Sequence, residues 1–336
     1  MRRILAHETA LLWLSCGYAG CVVAWLILLG TPLASWWPIS TASALHLGLY
    51  APIPVLGLLA LARRSPRAAI WLLLPLLLFV GEYAPDFLPK RDSPTGRPLR
   101  VLTANLHVEN ASAERVAGAF LAEKPDVIAV QELGGRVAPA LSELLSREYP
   151  HQALYPRALP SGMGIFSRYP VLSTALDEMA PGSCSCQAAS LDFAGRPIAV
   201  LNVHPAPPSI RYAHPLGVGL PIGLDPGFHE ESLRVILDRA DAAREPLLVV
   251  GDLNLADRQP FYRVFSRQLG DAHREAGWGL GYTYPSDGAY GLPLFPLARI
   301  DYVLHDRAWA ASSVTVRATP GSDHRSVVAD LVLLDQ

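Results

Sequence analysis

The sequence predicts a layered α/β domain behind an N-terminal region of membrane-length apolar helices. Two observations carry this. No Asp, Glu, Lys or Arg occurs between Glu8 and Arg63, and beyond Leu99 short β-rich runs alternate with helical segments. Composition agrees: 51% of the 336 residues are hydrophobic and 17% charged, apolar for a soluble enzyme, and the excess lies in the first quarter of the chain. The length suffices for one large domain and an accessory region.

The N-terminal region, residues 1–89, contains three candidate membrane helices, at about 9–30, 41–62 and 67–83. A span needs roughly 20 mostly apolar residues. Trp36 and Trp37 stand between the first two and suit a headgroup interface. The second run carries Pro52 and Pro54, which a packed membrane helix tolerates; the third contains Pro75 and is the shortest. No small-residue cleavage site follows the first run, so these are retained helices and not a signal peptide. Arg2 and Arg3 precede the first helix, and Arg63, Arg64 and Arg67 separate the second from the third. Positive charge stays in the cytoplasm. Three crossings then put the C-terminal domain outside a bacterial cell membrane; a re-entrant third segment would leave it inside. Lys90, Arg91, Arg97 and Arg100 argue weakly for the second arrangement.

A Pro-rich linker at 90–98 leads into the catalytic region, residues 99–336. Leu99–Asn105 reads as a buried strand, Ser112–Lys124 as a helix stopped by Pro125, and Asp126–Glu132 as a second strand. Further strands are expected at Gly164–Arg168, Gln187–Asp192, Pro197–His204, Leu247–Gly251, Arg299–Leu304 and Ser326–Leu334, and an amphipathic helix at Phe228–Arg244. Cys16 and Cys21 lie in the first apolar run as lipid- or helix-facing small residues, and Cys184 and Cys186, too close for an unstrained disulfide and too poor in partners for zinc, are taken as structural. The Pro- and Gly-rich loop from Pro205 to Asp225 is either a tolerated surface insertion or an apolar lid or membrane-facing collar.

Beyond residue 89 acidic residues outnumber basic ones. This weighs against a nucleic-acid binder that neutralises many phosphates. The informative feature is that strand-like runs end in polar side chains: Asn105, Gln131-Glu132, His204, Gly251-Asp252-Leu253-Asn254, Arg299-Ile300-Asp301-Tyr302 and Ser322-Asp323-His324-Arg325-Ser326. Carboxylate and amide oxygens suit a hard cation such as Mg²⁺, and imidazoles can move protons. One such residue is ordinarily a cap or turn. Six in succession point to phosphate-ester hydrolysis, which needs a cation, a positioned water, donors for phosphoryl oxygens and an acid for the leaving group.

This succession resembles the endonuclease/exonuclease/phosphatase family, of which deoxyribonuclease I, abasic-site endonucleases, neutral sphingomyelinases and inositol polyphosphate phosphatases are members. The Gly-Asp-Leu-Asn and Ser-Asp-His-Arg-Ser motifs carry the resemblance, supported by Gln-Glu and Arg-Ile-Asp-Tyr. It implies a four-layer sandwich of two packed β-sheets flanked by helices. It implies Mg²⁺, or Mn²⁺, held by Glu132 with Asn105 beside it and Asp323 nearby. Asp252 would orient or deprotonate the attacking water, and Asn254 would hold a phosphoryl oxygen. His324, oriented by Asp301, would contact the phosphate or assist proton transfer. His204 would protonate the leaving group and Arg168 would contact phosphate.

The helical anchor with an outward domain is similar to the VanJ-type membrane proteins of bacteria, implying a phosphatase acting on lipid-linked envelope intermediates. The membrane tether, the acidic balance and the apolar loops Leu216–Leu224 and Tyr290–Leu297 favour an amphiphilic phosphorylated substrate at the bilayer. The alternatives are a membrane-tethered nuclease and a catalytically inert scaffold. His214, His229, His273 and His305 are expected to be ordinary loop or surface histidines.

Overall fold

The structure is a computed structural model that describes residues 2–90, 95–180, 184–215, 218–286 and 295–334. Arg91, Leu216, residues 290–294 and the Cys184 side chain, all named above, lie outside the described set. The chain forms two compact units. One comprises residues 1–88 with 210–225, the other 89–209 with 226–336.

The first unit contains α1 (Arg2–Leu29), α2 (Trp37–Ala44), α3 (His46–Leu49), α4 (Pro52–Ala62) and α5 (Pro66–Tyr83). Thr9–Leu29 and Pro66–Phe87 are long and apolar enough to cross a membrane. The third expected span, thought the shortest, is therefore one of the two unbroken ones. The second expected span is not a single helix. It breaks at Leu45, and Trp37–Ala44 meets His46–Ala62 at 95°. Pro38, Pro52 and Pro54 each lack the N–H an uninterrupted ladder requires.

Packing has two distinct ends. Leu11 of α1, Ala60 of α4 and Ala68 of α5 form one cluster. At the other end, Trp25 and Leu29 of α1 pack with Ile39 of α2. There His46 Nδ1 lies 2.7 Å from the Tyr83 hydroxyl, His46 Nε2 lies 3.0 Å from Glu82, and the Tyr50 hydroxyl donates to Glu82 at 2.8 Å. Helix α4 thus runs antiparallel to α1 and α5 between the two ends.

The second unit begins with β1 (Arg97–Asn105), α6 (Ala113–Glu123), β2 (Val127–Gln131), α7 (Ala138–Leu145), β3 (His151–Tyr155), β4 (Met163–Ser167), β5 (Val171–Ala180), β6 (Cys184–Phe193) and β7 (Arg196–His204). The chain then makes a two-stranded excursion, β8 (Ser209–Ala213) and β9 (Leu220–Asp225), most of which belongs to the first unit. It returns through α8 (Gly227–Ala242), β10 (Leu247–Asp252), α9 (Tyr262–Gln268), β11 (Gly270–Asp271), α10 (Ala272–Ala276), β12 (Asp301–His305), β13 (Trp309–Ala318) and β14 (Arg325–Leu333). His229, His273 and His305, expected in loops or at the surface, prove to be buried in α8, α10 and β12.

Two six-stranded mixed sheets result, ordered β13-β14-β1-β2-β4-β3 and β11-β12-β10-β7-β6-β5. Alternate side chains point to opposite faces. Val101 and Val127 of one sheet therefore meet Val200 and Val250 of the other in the central core. Leu102 and Ile128 pack under α6 and α7, and Leu247 and Val249 pack under α8 and α9. Helix, sheet, sheet, helix: this is the expected four-layer sandwich. Burial on both faces explains why the central strands read as continuous apolar runs. β3, β5 and β13 were not anticipated; their polar, partly exposed patterns lack that signal.

Candidate active site

Register brings the polar strand ends together. β1 and β2 are parallel with Asn105 opposite Gln131, so Glu132 follows one step beyond. β7 and β10 are parallel with Val203 opposite Gly251, which sets His204 level with Asp252. β10 and β12 are antiparallel with Asp252 opposite Asp301. His324 immediately precedes β14, whose first residues pair near the carboxyl end of β1. The site thus gathers at the carboxyl ends of parallel strands from both sheets, where α/β folds gather ligands.

Local backbone geometry aims these groups. Glu132 and Asn254 adopt φ of 53° and 50°, a left-handed conformation that costs a non-glycine residue about 1–2 kcal/mol. Such outliers concentrate at functional sites. Gly251, at φ 136°, cannot be replaced without strain: a Cβ there would lie 2.1 Å from the Val203 carbonyl oxygen.

The Asn105 amide is the hub. Its Nδ2 donates to Glu132 Oε1 at 3.0 Å and to Asp252 Oδ2 at 3.1 Å, and its Oδ1 accepts from the His107 amide at 3.0 Å. The Val108 amide donates to Glu132 Oε2 at 3.0 Å. His204 Nε2 stands 3.7 Å from Glu132 and 3.6 Å from Asp252, while its Nδ1 bonds the Pro160 carbonyl at 3.0 Å. A carbonyl only accepts, so Nδ1 carries the proton and Nε2 faces the carboxylates. His324 Nδ1 lies 3.0 Å from Asp301 Oδ2, with Nε2 3.6 Å from Asp252. Asn254 donates its backbone amide to Asp252 Oδ1 at 2.8 Å and its side-chain Nδ2 to the Pro205 carbonyl at 3.0 Å.

Charge is unbalanced here. Burial pushes the Asp252 carboxyl up, and Asp301 adds to this while His324 and His204 oppose it. Burial disfavours charge on His324, but Asp301 and Asp252 outweigh that and raise it to about 10. Asp301 Oδ1 is buried without a hydrogen-bond partner. Two carboxylates bridged by one neutral amide, beside an orphaned carboxylate oxygen, form a donor set that fits a hard divalent cation. Asp252, Asp301 and His324 also lie within ligand distance of one another. Both nitrogens of His324 already face carboxylates, however, so the oxygens nearer Glu132 are the better cation cradle.

Eight of the expected residues share this neighbourhood or flank it: Asn105, Glu132, His204, Asp252, Asn254, Asp301, Asp323 and His324. Asp323 is peripheral; its backbone oxygen accepts from the Ser286 amide at 2.6 Å. Arg168 is not among them. β2 and β4 are antiparallel with Val127 opposite Ser167, so Arg168 stands at the far end of the sheet, where it pairs with Asp126 at 3.2 Å. The expectation overlooked strand direction.

Several supporting roles escaped sequence reasoning, although Gln131 and Ser322 were named within their motifs. Gln131 Nε2 donates to Asn202 Oδ1 at 2.6 Å and to Thr103 Oγ1 at 3.0 Å, joining the two sheets behind Glu132 and His204. Ser322 Oγ donates to the Asn105 carbonyl at 2.7 Å and accepts from the His324 amide at 2.9 Å. The Tyr284 ring packs on the His324 ring at 4.8 Å. Gln131 and Asn202 had a usable signal, an amide side chain inside a run of buried apolar residues. Tyr284 had none.

The family model for the Endonuclease/Exonuclease/phosphatase family matches residues 102–324. No curated protein sequence matches the chain. Among solved structures, an endonuclease/exonuclease/phosphatase from Beutenbergia cavernae is 25% identical, with 70% of this chain and 72% of that one covered and a TM-score of 0.54. D. rerio TDP2 complexed with single-strand DNA product is 16% identical over 70% of this chain and 98% of that one, TM-score 0.56. Sphingomyelinase C from Streptomyces griseocarneus is 19% identical over 69% and 99%, TM-score 0.50.

Proposed function

The chain belongs to the endonuclease/exonuclease/phosphatase family, and from that premise we propose that it is a membrane-anchored, Mg²⁺-dependent phosphoesterase acting on an amphiphilic, lipid-linked phosphate ester or pyrophosphate. The observation that carries the chemistry is the convergence of Glu132, Asp252, His204 and His324 around the Asn105 amide. Glu132 and Asn105, with Asp252 beside them, would hold the cation. Its chemistry is to neutralise phosphoryl charge as a Lewis acid.

The protein's own groups do the rest. Asp252, fixed by the Asn254 amide, orients the attacking water and accepts its proton; its raised affinity for a proton suits that task. His324, held by Asp301, presents a positive N–H to the phosphoryl oxygens. One hydrogen of the Asn254 side-chain amide is committed to Pro205, which leaves the second for a phosphoryl oxygen. His204, anchored through its Nδ1–H on Pro160, acts as the imidazolium, giving the second proton from Nε2 to the departing oxygen and being left neutral.

The two-ended packing of the first unit supports three crossings. Between Leu11 and Trp25, α1 rises about 21 Å, and the chain returns from His46 to Ala60 through α3 and α4 together. With Arg2, Arg3, Arg63, Arg64 and Arg67 in the cytoplasm, the catalytic unit is extracytoplasmic. Contact between β9 and α2 favours the same side, because a short hairpin emerging from the catalytic sequence could not reach across a bilayer: the Leu224 amide donates to Thr41 Oγ1 at 2.8 Å.

The test is turnover by the full chain with Mg²⁺ against undecaprenyl pyrophosphate, a phospholipid panel and plasmid DNA. Release of phosphate or a headgroup from a lipid supports the proposal. Rapid DNA cleavage without lipid turnover rejects it.

A further inference from the structure

The inner faces of the two sheets change character along the strands. Alternate residues share a face, and Ile198 and Val200 of β7 pack in the apolar core between the sheets with Val127 and Ala129 of β2 and Ala189 of β6. One step further toward the carboxyl ends of β2 and β7, the same faces carry Gln131, Asn202 and, on β6, Gln187, all fully buried. One step beyond come His204 and its cross-strand partner Ser185. A layer of amides thus lies between the apolar core and the catalytic groups.

The layer bonds sheet to sheet. Asn202 Nδ2 donates to the Val130 carbonyl at 3.0 Å and reaches the Gly164 carbonyl and Gln187 Oε1 at 3.2 Å, while its Oδ1 accepts from Gln131 Nε2 at 2.6 Å. Gln187 Nε2 donates to the Ala153 carbonyl of β3 at 2.8 Å. Stability is a poor explanation for these groups. Gln131 Oε1 is buried with no partner, a cost that apolar side chains would not carry. Apolar packing is non-directional and tolerates a small slide of one sheet over the other; hydrogen bonds are directional and do not. A network of buried amides specifies one offset.

His204 is the group that needs a fixed offset. Asn105 bonds Glu132 and Asp252 directly, but His204 Nε2 stands beyond hydrogen-bond reach of both carboxylates, at 3.7 and 3.6 Å. Its place is set by β7 and by Nδ1 on the Pro160 carbonyl, in the connection between β3 and β4 of the opposite sheet. Ser185 ties the same connection from beside His204, donating to the Ser161 carbonyl at 2.9 Å. We infer that Asn202, locked by Gln131, is a positioning residue for His204: it fixes the imidazole laterally against Glu132, so that Nε2 meets the departing oxygen. A misplacement of about 1 Å can cost on the order of 10²-fold in rate. The inference rests on the reading of His204 as the leaving-group acid.

The experiment measures kcat and KM of the full chain in phospholipid nanodiscs with Mg²⁺, on dodecyl phenyl phosphate and dodecyl p-nitrophenyl phosphate. Phenol, the weaker acid, depends more on a donated proton to leave than p-nitrophenol does. Asn202→Leu with Gln131→Met replaces the bonded amides by apolar side chains of similar size. It should lower kcat about tenfold more on the phenyl ester than on the p-nitrophenyl ester, with KM held. Gln131→Met alone leaves Asn202 bonded to Val130 and Gly164; it should show the same selectivity on a smaller scale, and it decides the matter if the double variant does not fold. His204→Ala sets the full scale of the selectivity. Equal loss on both esters in the amide variants, or no loss, would mean a merely structural layer and overturn the inference. Selectivity in His204→Ala without any in the amide variants overturns this inference alone. No selectivity in His204→Ala overturns the acid reading together with it, as does a native chain that turns over neither ester.

Discussion

Two buried charge clusters lie two residues apart on the approach to β12, and they are built on opposite principles. Around Arg299 every carboxylate is paired with arginine: Arg258, Arg274 and Arg299 face Asp257 and Asp271. Its guanidinium bonds Asp271 at 2.7 and 3.0 Å and approaches Asp257 at 3.5 Å, and Arg274 adds a 2.9 Å contact to Asp257. The Tyr262 hydroxyl also donates to Asp271, and the Tyr302 ring stacks 4.8 Å from the guanidinium. Burial alone would raise the Asp271 carboxyl, yet Arg299 and Tyr262 hold it down at about 2. Around Asp301 the charges do not balance. Three carboxylates face two imidazoles, Asp252 is pushed up, and Asp301 Oδ1 has no partner. A buried cluster whose carboxylates are all paired with arginine holds the fold, even though Arg299 Nε has no hydrogen-bond partner. One that leaves negative charge over is waiting for a cation and a phosphoryl group.

The largest expected effect separates the clusters by activity. Glu132→Gln or His324→Ala should lower kcat by about 10²–10⁴-fold, the range for losing one electrostatic or proton-transfer group. Circular dichroism should show the fold unchanged. Full turnover by either variant would break the assignment.

Next comes stability. Arg299→Met leaves Asp271 and Asp257 buried beside a lost cation and should cost about 3–5 kcal/mol, read from denaturant midpoints. Asp252→Asn should leave the metal-free protein as stable or more so, because its ionised form is disfavoured by folding. Equal destabilisation by the two variants would erase the contrast.

The pH dependence is smaller. Asp271 titrates near 2 in the folded chain and near 4 when unfolded. The unfolded state therefore binds its proton first as pH falls. The contribution, on the order of 2 kcal/mol, is complete above about pH 4 and is lost as pH drops toward 2. Asp271→Asn should flatten that part of the stability curve. An unchanged curve would mean Arg299 does not hold the carboxylate ionised.

Of similar size is the rise in melting temperature expected on adding Mg²⁺. Saturation at about 100-fold over Kd is worth about 2.7 kcal/mol, a shift of roughly 5–10 °C for a domain of this size. Arg274→Met should keep the shift, and Glu132→Gln should lose it.

Much of this molecule was legible before its structure. Strands with both faces buried, such as Val101–Asn105 and Leu247–Asp252, announce themselves as apolar runs, and the polar residue that ends each run marks the pocket. Arg168 was misplaced because a motif beside a strand does not say which way the strand runs. β13 was missed because Ser312 and Ser313 interrupt its pattern at a register shift. The second apolar run was read as one helix because composition is blind to a 95° bend at Leu45. The hairpin was left between two interpretations because its partner, α2, lies more than 160 residues away in sequence and no local pattern links them.

The most direct test is Mn²⁺ binding, followed by electron paramagnetic resonance on the full chain in nanodiscs. The account predicts a tight site that is lost in Glu132→Gln and weakened in Asn105→Ala, but untouched in Asp257→Asn of the arginine-paired cluster. Binding that survives Glu132→Gln, or that falls equally in Asp257→Asn, would contradict it.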